Sequence, residues 1–325
     1  QLPYCILNEV ALQPCGWLAA YMGSALRSDK DLRFRNLDGN AEVLQDIYPG
    51  GGTLTVRSRL LQVSEVSDML IEAFEFQVLQ GGTPVYQGKT NFGFFTIEAL
   101  AAQGGIRDND LPPCHQEAEE AEEADAQKLN NGLSEILEVY PPLTPDDSKN
   151  YDALNMAMPA KALLMPARAL CMIDRIDTFQ PRGGPQGLGM IRATKAIDPQ
   201  EWFFKAHFFQ DPVCPGSLGL ESMYQLLKYV ALHRWKDLHG YRWSLVCGHE
   251  HAWTYRGQIL PGNSIVQVEA VITRLEDEPE PAIFCDGLLR VDGLVIYMMV
   301  NFGLRLVNDK LKKVFYVLRF RFYVA

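Results

Sequence analysis

Two stretches of the chain repeat one another at a fixed distance, and this repeat limits the fold more than any other feature. Pro3-Tyr-Cys-Ile-Leu-Asn-Glu9-Val-Ala-Leu-Gln13 lines up with Pro215-Gly-Ser-Leu-Gly-Leu-Glu221-Ser-Met-Tyr-Gln225, so Pro, Glu and Gln recur at a constant offset of 212. A second echo sits near the end of each half, Asn91-Phe-Gly93 against Asn301-Phe-Gly303, at an offset of 210. Self-similarity on this scale predicts two copies of one unit. Two copies can build one site from residues of both.

Each half reads as a helix, a gap, then long strands. Asn8–Arg27 has a helical apolar face containing Trp17 and Met22. Gly50-Gly-Gly52 breaks the chain before strands predicted at Thr53–Ser64, Met69–Leu79 and Pro84–Thr96, whose apolar residues alternate with polar ones. In the second half, strands are expected at Leu163–Ile176 and Gly187–Ala196, followed by a helix over Leu218–Lys236. Further strands are expected at Ala252–Ile259, Ser264–Arg274, Ala282–Val291 and Leu294–Leu306. One long helix followed by strands that wrap it is the hot-dog arrangement. The expected class is therefore α+β, a double hot-dog of two long helices each wrapped by an antiparallel sheet. The boundaries expected are 1–98 for the first hot-dog, 99–160 for a linker, 161–308 for the second hot-dog and 309–325 for a tail. The linker is rich in acid, Pro and Ala, with one short helix expected at Glu117–Leu129. The basic, aromatic tail from Lys310 suggests no role.

A net charge of −10 argues against nucleic acid or an anionic membrane as a partner. No apolar run reaches the ~18–20 residues of a membrane span. Seven scattered cysteines without paired spacing point to a reducing, cytoplasmic compartment. Because Gln1 is not a natural start and the first residues already enter the repeat, the chain is expected to be part of a longer polypeptide. Cys247, His249 and His251 would share one strand face, yet a fourth zinc ligand is not evident, so no metal site is expected. His233 and His239, near a helix end, are expected to cap carbonyls or face solvent, His115 lies in the linker, and Cys15 and Cys214 are expected to pack.

The densest chemistry is Trp202-Phe-Phe-Lys-Ala-His207-Phe-Phe-Gln-Asp-Pro-Val-Cys-Pro215-Gly216-Ser-Leu-Gly-Leu-Glu221. It strongly resembles the motif of 3-hydroxyacyl-acyl-carrier-protein dehydratases of the decanoyl type. Met172-Ile-Asp-Arg175 and Tyr255-Arg-Gly-Gln-Ile-Leu-Pro261 fit the same family, over about residues 160–306. The first half, with Glu9-Val-Ala-Leu-Gln-Pro-Cys-Gly-Trp-Leu-Ala-Ala-Tyr21, looks like the partner hot-dog in the dehydratase region of polyunsaturated fatty acid synthases.

The resemblance implies a histidine that removes a proton from C2 of a 3-hydroxyacyl thioester and a carboxyl group that protonates the departing hydroxyl. These come from opposite hot-dogs, which pairs His207 with Glu9. Pro215 and Gly216 would place a helix N-terminus on the thioester oxygen, and Gln13, one turn beyond Glu9, would orient the carboxyl or the substrate. By symmetry, Glu221 and Gln225 would serve a second site whose histidine falls before residue 1. Glu at both positions departs from the Asp of the decanoyl enzymes, which leaves isomerase activity open. No metal or redox cofactor is implied, since phosphopantetheine arrives on the acyl carrier protein. The implied partners are that carrier domain and the other domains of a synthase, with an intrachain pseudo-dimer and a homodimer both compatible. A hot-dog thioesterase and a non-catalytic docking module are the alternatives.

Overall fold

The computed structural model describes residues 2–47, 51–66, 69–111, 168–235, 238 and 241–308. The helix predicted at Glu117–Leu129, His115, His239 and the tail from Lys310 lie outside the described residues.

The repeat appears directly in the fold. Helix α1 (Tyr4–Tyr21) starts immediately after Pro3, and the long helix of the second half, α4 (Gly216–Arg234), starts immediately after Pro215. Proline at this point fixes φ for helix entry, so the same residue starts both helices at equivalent positions. Among the described residues, two short helices lie between them, α2 (Ile97–Ala101) and α3 (Trp202–Ala206).

Helix α1 buries Tyr4, Leu7, Asn8, Ala11, Cys15 and Ala19, one face at helical spacing. Helix α4 is buried on nearly every side from Ser217 to Leu227, as expected of a helix inside a wrapped sheet. Leu220, Met223, Leu226 and Leu227 are wholly inaccessible, and burying each contributes about 1.5–3 kcal/mol. The two helices touch, with Tyr4 and Tyr224 ring centroids 5.0 Å apart.

Around them the described strands form one antiparallel sheet. The first half supplies β1 (Leu32–Val43), β2 (Leu54–Val66), β3 (Met69–Gln80) and β4 (Thr83–Thr96). The second supplies β5 (Arg175–Gln180), β6 (Met190–Ala196), β7 (Tyr241–Leu245), β8 (His249–Tyr255), β9 (Ile265–Glu276), β10 (Ala282–Val291) and β11 (Leu294–Asn308). Their order is β2-β3-β4-β1-β8-β11-β10-β9-β6-β5, with β7 on β11. The order β2-β3-β4-β1 is thus mirrored by β9-β10-β11-β8 about the β1–β8 seam, and the Asn-Phe-Gly echoes fall on β4 and β11. This is a double hot-dog closed into a single sheet.

Several elements differ from the sequence expectation. β1 falls in the gap between the expected helix and Gly50-Gly-Gly52, where Asn36, Asp38, Gly39 and Asn40 are poor strand formers. They occupy the seam instead. Gly39 pairs with Trp253, and a β-carbon at Gly39 would clash with that indole. The Trp253 indole N–H donates to Asn36 Oδ1 at 2.8 Å. Polar side chains here satisfy one another across the joint rather than breaking the strand. β7 and α3 were also not expected. Of the strand predicted at Leu163–Ile176, the described part is a 3-10 turn at Arg168–Leu170, with the strand beginning only at Arg175. The start of the expected linker is docked rather than solvated: the Ile106 N–H donates to Val295 O at 2.8 Å, and Ile106 is buried. His233 is exposed, with its ring edge-on to Phe179.

Candidate active site

His207 directly follows α3, and the loop Phe208–Pro215 carries the chain from it to α4. Its Nδ1 lies 2.9 Å from Val213 O. A carbonyl can only accept, so Nδ1 carries the proton and Nε2 keeps the lone pair of the neutral ring. Burial is the main influence on its pKa and pushes it below 6.5, against the opposing bond to Val213.

Glu9 projects from α1 of the other half. Its Oε1 accepts a hydrogen bond from Ser217 Oγ at 2.6 Å, at the first turn of α4. Burial raises the Glu9 pKa above 4.5, and the Ser217 bond offsets this only in part. The imidazole is therefore biased towards its neutral form and the carboxyl towards its protonated form. Shifts in these opposite directions suit one base and one acid.

Both residues line one cavity of about 440 Å³, together with Gln13, Gly216, Ser217 and Tyr255. Its apolar wall is formed by Leu12, Phe34, Phe92 and Phe94, with Phe34 and Phe92 stacked at 4.6 Å. Such a wall suits an alkyl or alkenyl chain. The first N–H groups of a helix have no partner one turn before them; at α4 the Leu218 N–H already donates to Pro215 O at 3.1 Å, and the missing β-carbon at Gly216 makes room for the Tyr255 ring. Pro215 sets the start of that helix.

Glu221 and Gln225 are elsewhere. Glu221 is 1% exposed and faces Lys228 Nζ at 3.4 Å. Beside it is Cys5, whose thiol is pushed upward first by burial and then by the Glu221 charge. Gln225 accepts from the Met172 N–H at 2.9 Å and donates to Leu170 O at 2.8 Å, fastening that segment to α4. Neither lines the cavity that holds His207. Pseudo-symmetry explains the difference. Cys5 stands where Ser217 stands in the other copy, and Tyr4 stands where Gly216 stands. The Tyr4 ring is 2% exposed, and its hydroxyl lies 2.8 Å from His251 Nε2. A large side chain therefore stands where the other helix has Gly216, which carries none and borders the cavity. His249 packs on Phe284 and Cys247 contacts Arg305, so His249, His251 and Cys247 have separate neighbours. Among the described residues no group of three or more His, Cys, Asp or Glu is placed to hold a metal ion.

Sequence reasoning did not single out Ser217, Arg35 or Asp211. Arg35, on β1, forms a two-pronged ion pair with Asp211 in the loop after His207, at 2.7 and 2.8 Å. Its Nε also donates to Gln258 at 2.7 Å. The pair is 11% and 16% exposed, so removing one partner strands a largely buried charge. Arg35→Ala is expected to cost about 3 kcal/mol of stability. Urea unfolding measures it, and an unchanged midpoint would remove Arg35 as the clamp between the halves.

Comparison with known families and proteins matches residues 165–300 to the FabA-like domain. The chain is 32% identical over 318 residues to one of the polyunsaturated fatty acid synthase subunits of Thraustochytrium sp. (strain ATCC 26185 / S-3), covering 95% of this chain and 20% of that protein. The chain thus spans about one fifth of the relative's length. Among solved structures it is remotely similar to a protein assigned as an oleoyl thioesterase from Lactobacillus plantarum, with a TM-score of 0.46 and 8% identity, covering 95% of this chain and 90% of the other. It is also similar to the dehydratase domain from the CurJ module of curacin polyketide synthase, with a TM-score of 0.42 and 11% identity over 91% and 83% of the two chains.

Proposed function

We propose, from the match of residues 165–300 to the FabA-like domain, that this chain removes water from 3-hydroxyacyl thioesters to give trans-2-enoyl thioesters in fatty acid synthesis. The observation that carries the reading is one cavity bordered by His207 of the later half, Glu9 of the earlier half and the start of α4 at Gly216.

The substrate thioester oxygen sits against the Gly216 N–H, where the helix dipole favours negative charge. His207 Nε2 takes a proton from C2, and the imidazolium keeps its Nδ1–H on Val213 O. Electrons move from the C2–H bond into the C2–C3 double bond as the C3–O bond breaks. Glu9 gives its proton to the leaving hydroxyl, which departs as water. Ser217 holds the resulting carboxylate, and Gln13 borders the same space and helps orient substrate or carboxyl. Glu221 and Gln225, whose partners are Lys228 and the 170–172 backbone, serve packing in this scheme.

The acyl group arrives on the phosphopantetheine of an acyl carrier protein, and the chemistry requires no metal or redox cofactor. Other synthase domains are the natural partners, given a relative named as part of a synthase. A cytoplasmic location is consistent with this setting. No helix among the described residues is long and apolar enough to cross a membrane. Incubation with a 3-hydroxyacyl carrier protein should produce the enoyl-thioester absorbance, and mass spectrometry should show loss of water from the carrier-bound chain. Product analysis also reads out any movement of the double bond. Release of free thiol without enoyl product would overturn the reading.

A further inference from the structure

Tyr255 ends β8 with its ring over the first residue of α4. A β-carbon on Gly216 would meet the Tyr255 ring at 2.7 and 2.8 Å and its hydroxyl oxygen at 3.0 Å. The phenol oxygen therefore lies within one side-chain atom's contact of the Gly216 backbone. Tyr255 is only 6% exposed, and its hydroxyl is a buried polar atom without a hydrogen-bond partner. The residue borders the cavity that also holds Glu9, His207 and Ser217. On its other side it meets the Tyr297 ring, with centroids 4.4 Å apart. Burial first, with the Tyr297 and Glu9 charges adding to it, keeps the phenol protonated and hence able to donate. An unpaired buried hydroxyl is costly in the empty protein. Here it is positioned where a ligand oxygen would relieve that cost.

We infer that the Tyr255 hydroxyl donates a hydrogen bond to the thioester carbonyl oxygen of the bound acyl group, as a second donor beside the Gly216 N–H. The inference rests on the dehydration proposed above. Loss of the C2 proton moves negative charge onto that oxygen, and a fixed donor in a site shielded from water stabilises the charge most when it develops. The phenol forms and breaks no covalent bond, and its proton stays with it.

Tyr255→Phe tests this, because phenylalanine keeps the ring packed on Gly216 and deletes only the hydroxyl. The expected result is a fall of about 10²-fold in kcat/KM, mostly in kcat. The unfolding midpoint should stay equal or rise, since an unpaired group is removed. A hydroxyl with a merely structural role would lower the midpoint and leave kcat alone, which would overturn the inference. An independent reading comes from the infrared carbonyl band of trans-2-butenoyl-pantetheine carrying carbon-13 at its carbonyl. The band should move to lower frequency on binding the wild-type chain and move less in Tyr255→Phe. Equal bands in the two proteins, or no bound band in wild type, would overturn the inference. A band that depends on Tyr255 in a chain that forms no enoyl product would support the donor and remove the dehydration reading.

Discussion

Replacement of His207 by alanine is expected to lower kcat for dehydration by about 10²–10⁴-fold, the usual contribution of a positioned general base. Three observations make this the largest single effect. The Val213 carbonyl fixes the tautomer, so Nε2 is the basic nitrogen without any rearrangement. The ring borders the cavity that also contains Glu9. Burial holds its pKa below 6.5, which favours the neutral ring that a base requires. The loss should fall on kcat with KM nearly unchanged, because the thioester and acyl chain are held by other groups. Single-turnover measurements with saturating substrate separate the two. The pH dependence carries the same signature. Activity requires unprotonated His207, so kcat/KM rises with pH through a midpoint below 6.5 and falls where Glu9 ionises. An acid limb centred above 6.5 would contradict the assignment of His207 as the base.

The second large effect is expected at Glu9. Glu9→Gln keeps size and an acceptor for Ser217 but cannot deliver a proton, so dehydration should fall by about 10²-fold or more. Stability should move the other way. Glu9 has a folded-state pKa raised above 4.5, chiefly by burial. A raised pKa means the folded chain binds this proton more tightly than the unfolded chain does. That contribution is complete below the unfolded pKa and is lost as pH rises through the folded one. At neutral pH the unfolded chain gives up this proton more readily than the folded one, so the buried acid costs stability, and glutamine removes the cost. Thermal unfolding at pH 7 should show a higher midpoint for Glu9→Gln than for wild type, with the advantage gone near pH 4. A variant that loses both activity and stability at pH 7 would indicate a structural carboxylate rather than an acid held ready to donate.

Much of this architecture was legible in the chain because its information is local and repeated. Pro3 and Pro215 each start a helix, and the alternating run Met69–Gln80 and the apolar run Ala282–Val291 become strands within a residue of the expected bounds. β1 was not legible, since its Asn and Asp side chains are answered by Thr90 and Asn91 on β4 and by Trp253 and Arg256 from the other half. No single-segment pattern carries that information. The same reason hid Ser217 and Arg35, whose partners lie 208 and 176 positions away. His207, Gly216 and Glu9 were legible because motif and repeat mark them. Repetition marks Glu221 and Gln225 equally, yet their surroundings differ from those of Glu9 and Gln13. There Tyr4 and Cys5 have replaced the Gly-Ser pair, and Lys228 meets the acid. A repeat preserves the backbone more faithfully than it preserves the site.

The decisive test concerns cooperation between the two halves. A double-mutant cycle on kcat with His207→Ala, Glu9→Gln and the combined variant measures whether base and acid act on one substrate. If they do, the combined chain should be no slower than His207→Ala alone, within a few-fold. Losses that simply multiply would mean that imidazole and carboxyl act independently, and the shared site across the β1–β8 seam would have to be abandoned.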